Sequence, residues 1–167
     1  ASGEVTWLLN APQTAGPWRQ TLGENGDKFP TLDSTHREVV KLTVDEDYVS
    51  YLNSGDDFNG EPNKAYFNGD ERVQVPCEVT ADTTLTSKTL VTPSITGTAS
   101  KVYDGDTSVP SGLSITLSGI DEADTVTATA TFTYDNADVG TGKTITATGI
   151  TLEGDDADKY ALSTDTA

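Results

Sequence analysis

Cys77 and His36 are the only cysteine and the only histidine in the chain, so a single thiol–imidazole pair is the one nucleophilic dyad of that kind available. Their contexts argue for bland roles. Cys77 occupies the third inward position of the alternating run Arg72–Thr80, sharing a side with Val73, Val75 and Val79. A thiol placed there behaves as a small hydrophobe. His36, in Ser34-Thr-His-Arg, reads as an exposed turn leading into a strand. One imidazole and one thiol also fall short of a zinc site built on nitrogen and sulfur.

Carboxylates are the abundant reactive groups, clustered at Asp45-Glu-Asp47, Asp56-Asp57, Asp104/Asp106 and Asp155-Asp156/Asp158. Calcium takes such oxygen ligands, yet none of the clusters has the spacing of a calcium loop with its distant glutamate. With 27 acidic residues, a pair spaced for glycoside hydrolysis arises by density alone. No catalytic residue, metal or other cofactor is therefore assigned, and the chain is not expected to be an enzyme. Val139-Gly-Thr-Gly-Lys143 lacks the spacing and following helix of a phosphate loop and reads as a hairpin turn. Lys101 and Lys143 are candidates for an amide crosslink to Asn or Asp only by their position in strands or turns. Trp7, Trp18 and the tyrosines between residues 48 and 66 have faces that suit sugars, but aromatics are 7% of the chain. Such scarce rings are expected in the core.

The elements that must hold these residues are short and extended. The chain has 167 residues, 34% of them hydrophobic, and a net charge of −17. Acidity is spread evenly, net −8 over residues 1–90 and −9 over 91–167. No basic stripe exists for nucleic acid or anionic lipid, and uniform charge favours a solvated monomer. The lone cysteine gives no internal disulfide. The absence of methionine and of a leader-like start suggests a mature chain or an excised segment. No apolar run is long enough to span a membrane, so direct insertion is not expected.

In the first half, Ser2–Asn10 has the spacing of a short helix, with Val5, Leu8 and Leu9 on one side. Trp18–Leu22 and Glu38–Val44 read as strands, and Tyr66-Phe67 before Asn68-Gly69 signals a hairpin. Arg72–Thr80 alternates almost throughout, with Pro76 placing it at an edge or making it leave the ladder locally. Ser87–Pro93 is the expected linker. Beyond it, Ile95–Tyr103 is extended, Leu113, Ile115 and Leu117 alternate, and Val126–Tyr134 is a long strand with threonines on its outer face. A phase shift at Gly149 predicts a β-bulge. Asp155–Lys159 predicts one helical turn, capped by Asp156 or Asp158, before a strand at Tyr160–Ser163.

The motifs Lys101-Val-Tyr-Asp-Gly-Asp, Val139-Gly-Thr-Gly-Lys143 and Asp156-Ala-Asp-Lys-Tyr-Ala-Leu fall in the order found in YDG-type repeat modules of bacterial surface proteins and adhesins. Residues of about 91–166 resemble that family. Lys159 stands where the pattern commonly has Asn. The resemblance makes Tyr103, Asp104, Gly105, Gly140, Gly142, Lys143 and Tyr160 structural signature residues. Physically, Tyr103 would fill a core, Asp104 would accept backbone hydrogen bonds in an Asx turn, and Gly105 would take positive φ. The segments Gly3–Asn10, Trp18–Gly23 and Phe29–Asp33 are similar to a segment of multidomain surface proteins of gut bacteria.

The expected architecture is mainly β, in two small domains. Residues 1–90 form a β-rich module with a short helix. Residues 91–167 form an Ig-like β-sandwich, with a β-grasp arrangement as the alternative. The resemblance implies an extracellular spacer or interaction module of a bacterial cell surface, secreted or wall-anchored. Its partners would be neighbouring modules of the same polypeptide. The alternative is an adhesin domain that binds a host glycan or protein.

Overall fold

The computed structural model describes Leu22 and residues 37–167. The expected short helix, Trp7, Trp18 and His36 lie outside the described residues. Strands dominate, and the helical content is one 3₁₀ turn at Ala157–Lys159. The fold is mainly β, as the alternating patterns require. The chain divides into two compact units, Ala1–Ser87 and Lys88–Ala167.

In the first unit, β1 (Val39–Val44) and β2 (Tyr48–Asn53) form an antiparallel hairpin closed by the pair Val44↔Tyr48. β3 (Asp56–Phe58) pairs with β6 (Cys77–Val79), and β4 (Lys64–Asn68) pairs with β5 (Glu71–Val73). The N-terminal residues of β7 (Thr83–Gly97) run parallel to β1, with Val44 opposite Leu85. Val40, Leu42 and Val44 are buried as their alternation dictates. Leu42, Val44, Tyr66 and Leu85 form the core, against which Leu52, Phe58, Val73 and Val75 pack.

Two expectations need correcting here. Arg72–Thr80 leaves the ladder locally at Pro76, which has no N–H to give, as expected, but the departure divides it into two strands instead of one. The Ser87–Pro93 segment, expected as a linker, does contain the boundary between the two units, but it is the interior of strand β7. Its Thr and Val content favours extended backbone. Pro93 is accommodated opposite Leu117, beyond the last residue that pairs on the strand's other side.

In the second unit, β7 continues antiparallel to β8 (Leu113–Ser118), from Thr92↔Ser118 to Gly97↔Leu113. Its residues Thr89, Leu90 and Val91 pair in parallel with β11 (Tyr160–Leu162). β9 (Thr127–Tyr134) and β10 (Ile145–Glu153) form a long antiparallel hairpin. Its register slips between Thr148 and Thr151, the bulge that the phase shift at Gly149 predicts. Inward positions are small or aliphatic except for one tyrosine: Val91 and Ala147 are fully buried, with Ile150, Tyr160 and Ala161 nearly so. The outer face is hydroxyl-rich. Thr129, Thr131 and Thr133 stand opposite Thr151, Thr148 and Thr146. Ser94 pairs with Thr116 at 2.9 Å and Thr96 with Ser114 at 3.0 Å between side-chain oxygens. Cross-strand pairs of this kind add to sheet stability while leaving the surface wet.

Candidate functional site

Two loops of the second unit that are distant in sequence meet across a groove of about 550 Å³. One is the 98–106 segment, which leaves β7 and carries the Tyr-Asp-Gly tripeptide. The other is the 135–144 hairpin loop between β9 and β10, closed by Asp135 N–H donating to the Thr144 carbonyl at 2.9 Å. Ile95, Leu113, Tyr134 and Ile145 line it from the strands. Tyr103, Asp104, Gly140, Gly142 and Lys143 all border this groove, and Gly105 lies within the same loop. Tyr160 does not; it belongs to a separate cluster described below.

Tyr103 is 65% exposed, so it is a surface ring and not the core residue expected. The strand that would have turned it inward stops at Gly97. Asp104 Oδ1 accepts the Asp106 N–H at 3.0 Å, an Asx turn, and Gly105 has φ 75°. Asp106 in turn accepts from the Ser108 N–H. Lys101 Nζ lies 2.8 Å from Asp104 and 3.8 Å from Asp106, with its side chain only 15% exposed. It also stands 6.0 Å from the centre of the Tyr134 ring, the outer reach of a cation–π contact. The Lys101 ammonium and the Asp106 N–H hold the Asp104 carboxyl below the usual carboxylate range. Ser108 does the same for Asp106 through its N–H and side chain.

Across the groove, Lys143 Nζ donates to Asn136 Oδ1 and to the Asp138 carbonyl at 3.0 Å, and lies 3.5 Å from Asp135. Lys143 thus ties the hairpin loop to itself. Both lysines form ion pairs within their own loops, but Lys101 Nζ is buried without a hydrogen bond, whereas Lys143 makes two.

The Tyr160 cluster fastens the last strand. Tyr160 Oη donates to Asp124 at 2.7 Å and accepts the Asp121 N–H at 3.0 Å. Lys159 bridges Asp124 at 2.9 Å and Asp156 at 2.7 Å. Asp156 sits at the N-cap of the 3₁₀ turn but makes no side-chain cap bond; its carboxylate accepts the Thr125 N–H at 2.9 Å instead. The capping role expected of Asp156 is therefore replaced by a clasp between distant segments. Contact with Lys159 lowers the pKa of both Asp124 and Asp156, and their contact raises that of Lys159.

The depressed carboxylates contribute stability that is complete above their unfolded value near ~4 and lost as pH falls through the lower folded values. The raised Lys159 contributes below its unfolded value near ~10.4 and is lost as pH rises through its folded value. Lys159→Ala is expected to lower Tm by about 2–4 °C at pH 7, and this difference should shrink at both extremes. A difference unchanged from pH 2 to 7 would refute the clasp.

In the first unit, a hollow of about 340 Å³ lies beside the Asp45–Asp47 turn, Phe58, Lys64 and Tyr66. Asp45 is spent on the Ser87 N–H at 2.6 Å and its hydroxyl at 2.5 Å, and Tyr66 Oη accepts the Glu61 N–H at 2.8 Å. Tyr48 and Val49 are exposed on β2. Cys77 pairs with Phe58 and is half-buried; burial, and behind it Asp57, raises its thiol pKa. Native Cys77 should label with a thiol reagent at pH 8 several-fold more slowly than in urea. Equal rates would reassign it as an open thiol. Among the described residues, no three His, Cys, Asp or Glu side chains are grouped to hold a metal. None of the helical residues described forms a helix long and apolar enough to cross a membrane.

A β-rich unit, most of whose signature residues lie in two loops around a groove, is a small β-domain. The YDG domain family model matches residues 78–167, and the chain belongs to that family. Neither the comparison with curated proteins nor that with solved structures gave a match. Sequence reasoning missed Gly97 and Gly112, whose backbones interlock at the groove's edge; the signal was a glycine inside each flank of a strand pattern.

Proposed function

We propose that this chain is a non-enzymatic spacer or interaction module of an extracellular bacterial surface protein, secreted or wall-anchored, with neighbouring modules of the same polypeptide as its partners. The observation that carries this reading is how the ionisable groups with displaced pKa values are used. Asp104, Asp106, Asp124, Asp156 and Lys159 are each engaged in holding a turn or joining two segments. Displaced values at catalytic sites serve proton transfer; here those of the carboxylates and Lys159 accompany clasps, and that of Cys77 follows from its burial. The threonine-faced β9–β10 hairpin suits a solvated spacer, since its polar outer face stays hydrated and offers no apolar surface for stacking. An Ig-like sandwich remains the architecture we assign to the second unit.

A screen of the 167-residue chain against ester, peptide and glycoside substrates tests the non-enzymatic reading, and no turnover above background is expected. Reproducible turnover, abolished by changing one carboxylate in a variant that still folds, would overturn it. A second reading, a glycan- or protein-binding adhesin domain, is favoured by one observation: Tyr103 exposes its ring at the rim of the groove.

A further inference from the structure

We infer that the groove between the 98–106 and 135–144 loops binds a short neutral oligosaccharide, with Tyr103 as the stacking platform and the carboxylates of Asp104, Asp106 and Asp138 as hydroxyl acceptors. The inference rests on the binding reading above and specifies its site and ligand class.

Four observations converge on this class. The volume, about 550 Å³, lies within the range of small-ligand sites. The rim carries two large side chains exposed to water, Tyr103 at 65% and Val139 at 82%. An exposed tyrosine offers an electron-rich face to the C–H edges of a sugar ring, and its hydroxyl remains available for a hydrogen bond. The acceptors are oriented in advance: Asp104 and Asp106 are held by backbone N–H groups and the Lys101 ammonium, so little ordering remains to be done on binding. Both stay ionised into the acid range.

Charge then selects among ligands. The groove and the adjoining Asp135 present four aspartates to two lysines, which opposes an acidic glycan or acidic peptide. A cationic peptide finds two of the four aspartates already paired, Asp104 with Lys101 and Asp135 with Lys143. Hydroxyls need neither charge, and they donate well to a carboxylate that is already ion-paired.

The test is NMR titration of the ¹⁵N-labelled 167-residue chain with maltotriose, cellotriose, xylotriose and N-acetyllactosamine, with sialyllactose and trilysine as charged controls. Saturable shifts are expected for at least one neutral glycan, confined to residues 101–106 and 134–143. Tyr103→Ala should weaken that binding at least about tenfold, while Tyr103→Phe, which keeps the ring, should retain it within about threefold. Because Tyr103 is exposed, both variants should preserve the rest of the spectrum. Silence with all four neutral glycans, tighter binding of trilysine or sialyllactose, or unchanged affinity in Tyr103→Ala would each overturn the inference. Glycan-induced shifts confined to Tyr48 and Val49 would also overturn it, yet would leave the binding reading standing.

Discussion

Leu42→Ala is expected to cost the first unit about 3–4 kcal/mol in unfolding free energy. Leu42 is fully buried and sits at the centre of a cluster with Val44, Tyr66 and Leu85. Replacing its isobutyl group with a methyl loses the transfer free energy of three carbons and leaves a cavity. Ladders on both sides of β1 hinder collapse into that space: Leu42 faces Ser50 of β2 and Thr83 of β7. Urea unfolding, followed at the tyrosines, should show a lower midpoint with little change in slope. A loss below about 1 kcal/mol would mean that the site repacks and that the cluster is not the core. Thr43→Ala, one residue along on the other face, serves as the control and should cost far less.

The second large effect is expected at Gly97 and Gly112. Gly97 has φ 104°, and a Cβ built there would stand 2.2 Å from the Gly112 carbonyl oxygen. Gly112 has φ 98°, and its Cβ would stand 2.3 Å from the Thr98 carbonyl oxygen. Each glycine is thus required twice, by its backbone angle and by the backbone that crosses it. Gly97→Ala and Gly112→Ala should each destabilise the second unit by about 2–4 kcal/mol. The double variant should cost less than the sum, because one displacement of the two segments relieves both clashes.

Gly142→Ala separates the two causes. Gly142 has φ 68° with nothing near its would-be Cβ, so only the backbone angle is penalised, at about 1 kcal/mol. If Gly97→Ala cost no more than Gly142→Ala in thermal unfolding, the interlock would be refuted.

The features legible in the sequence share one property: they are local. Val40, Leu42 and Val44 alternate, and β1 buries them. The threonines of 127–133 alternate with Ala128, Ala130 and Phe132, and β9 turns the threonines outward except for half-buried Thr133. The slip at Gly149 appears as a one-residue change of phase, and the ladder contains it. What stayed hidden depends on which segments meet. The groove joins residues 98–106 to 135–144, which are separated by the whole of β8 and of β9, only because those strands intervene as they do. Tyr103 continues an alternating series from Ile95, and nothing in that pattern announces that pairing ends at Gly97. Asp156 has the residue type of a helix cap, but Thr125 and Lys159 compete for its carboxylate and win. The Arg72–Thr80 alternation survives the break at Pro76 because Val73, Val75, Cys77 and Val79 still favour the interior on either side of it.

The parallel pairing of β7 with β11 has a mechanical consequence. Thr89, Leu90 and Val91 lie beside Tyr160, Ala161 and Leu162 in the same direction. Tension applied at the N-terminal end of one strand and the C-terminal end of the other therefore slides the two strands lengthwise. The rungs between them are loaded together, in shear, instead of peeling apart one after another as in a hairpin pulled at its open end. The Tyr160 hydroxyl on Asp124 and the Lys159 bridge add side-chain restraints beside those rungs. Under load, this short three-residue ladder would yield as one cooperative bolt.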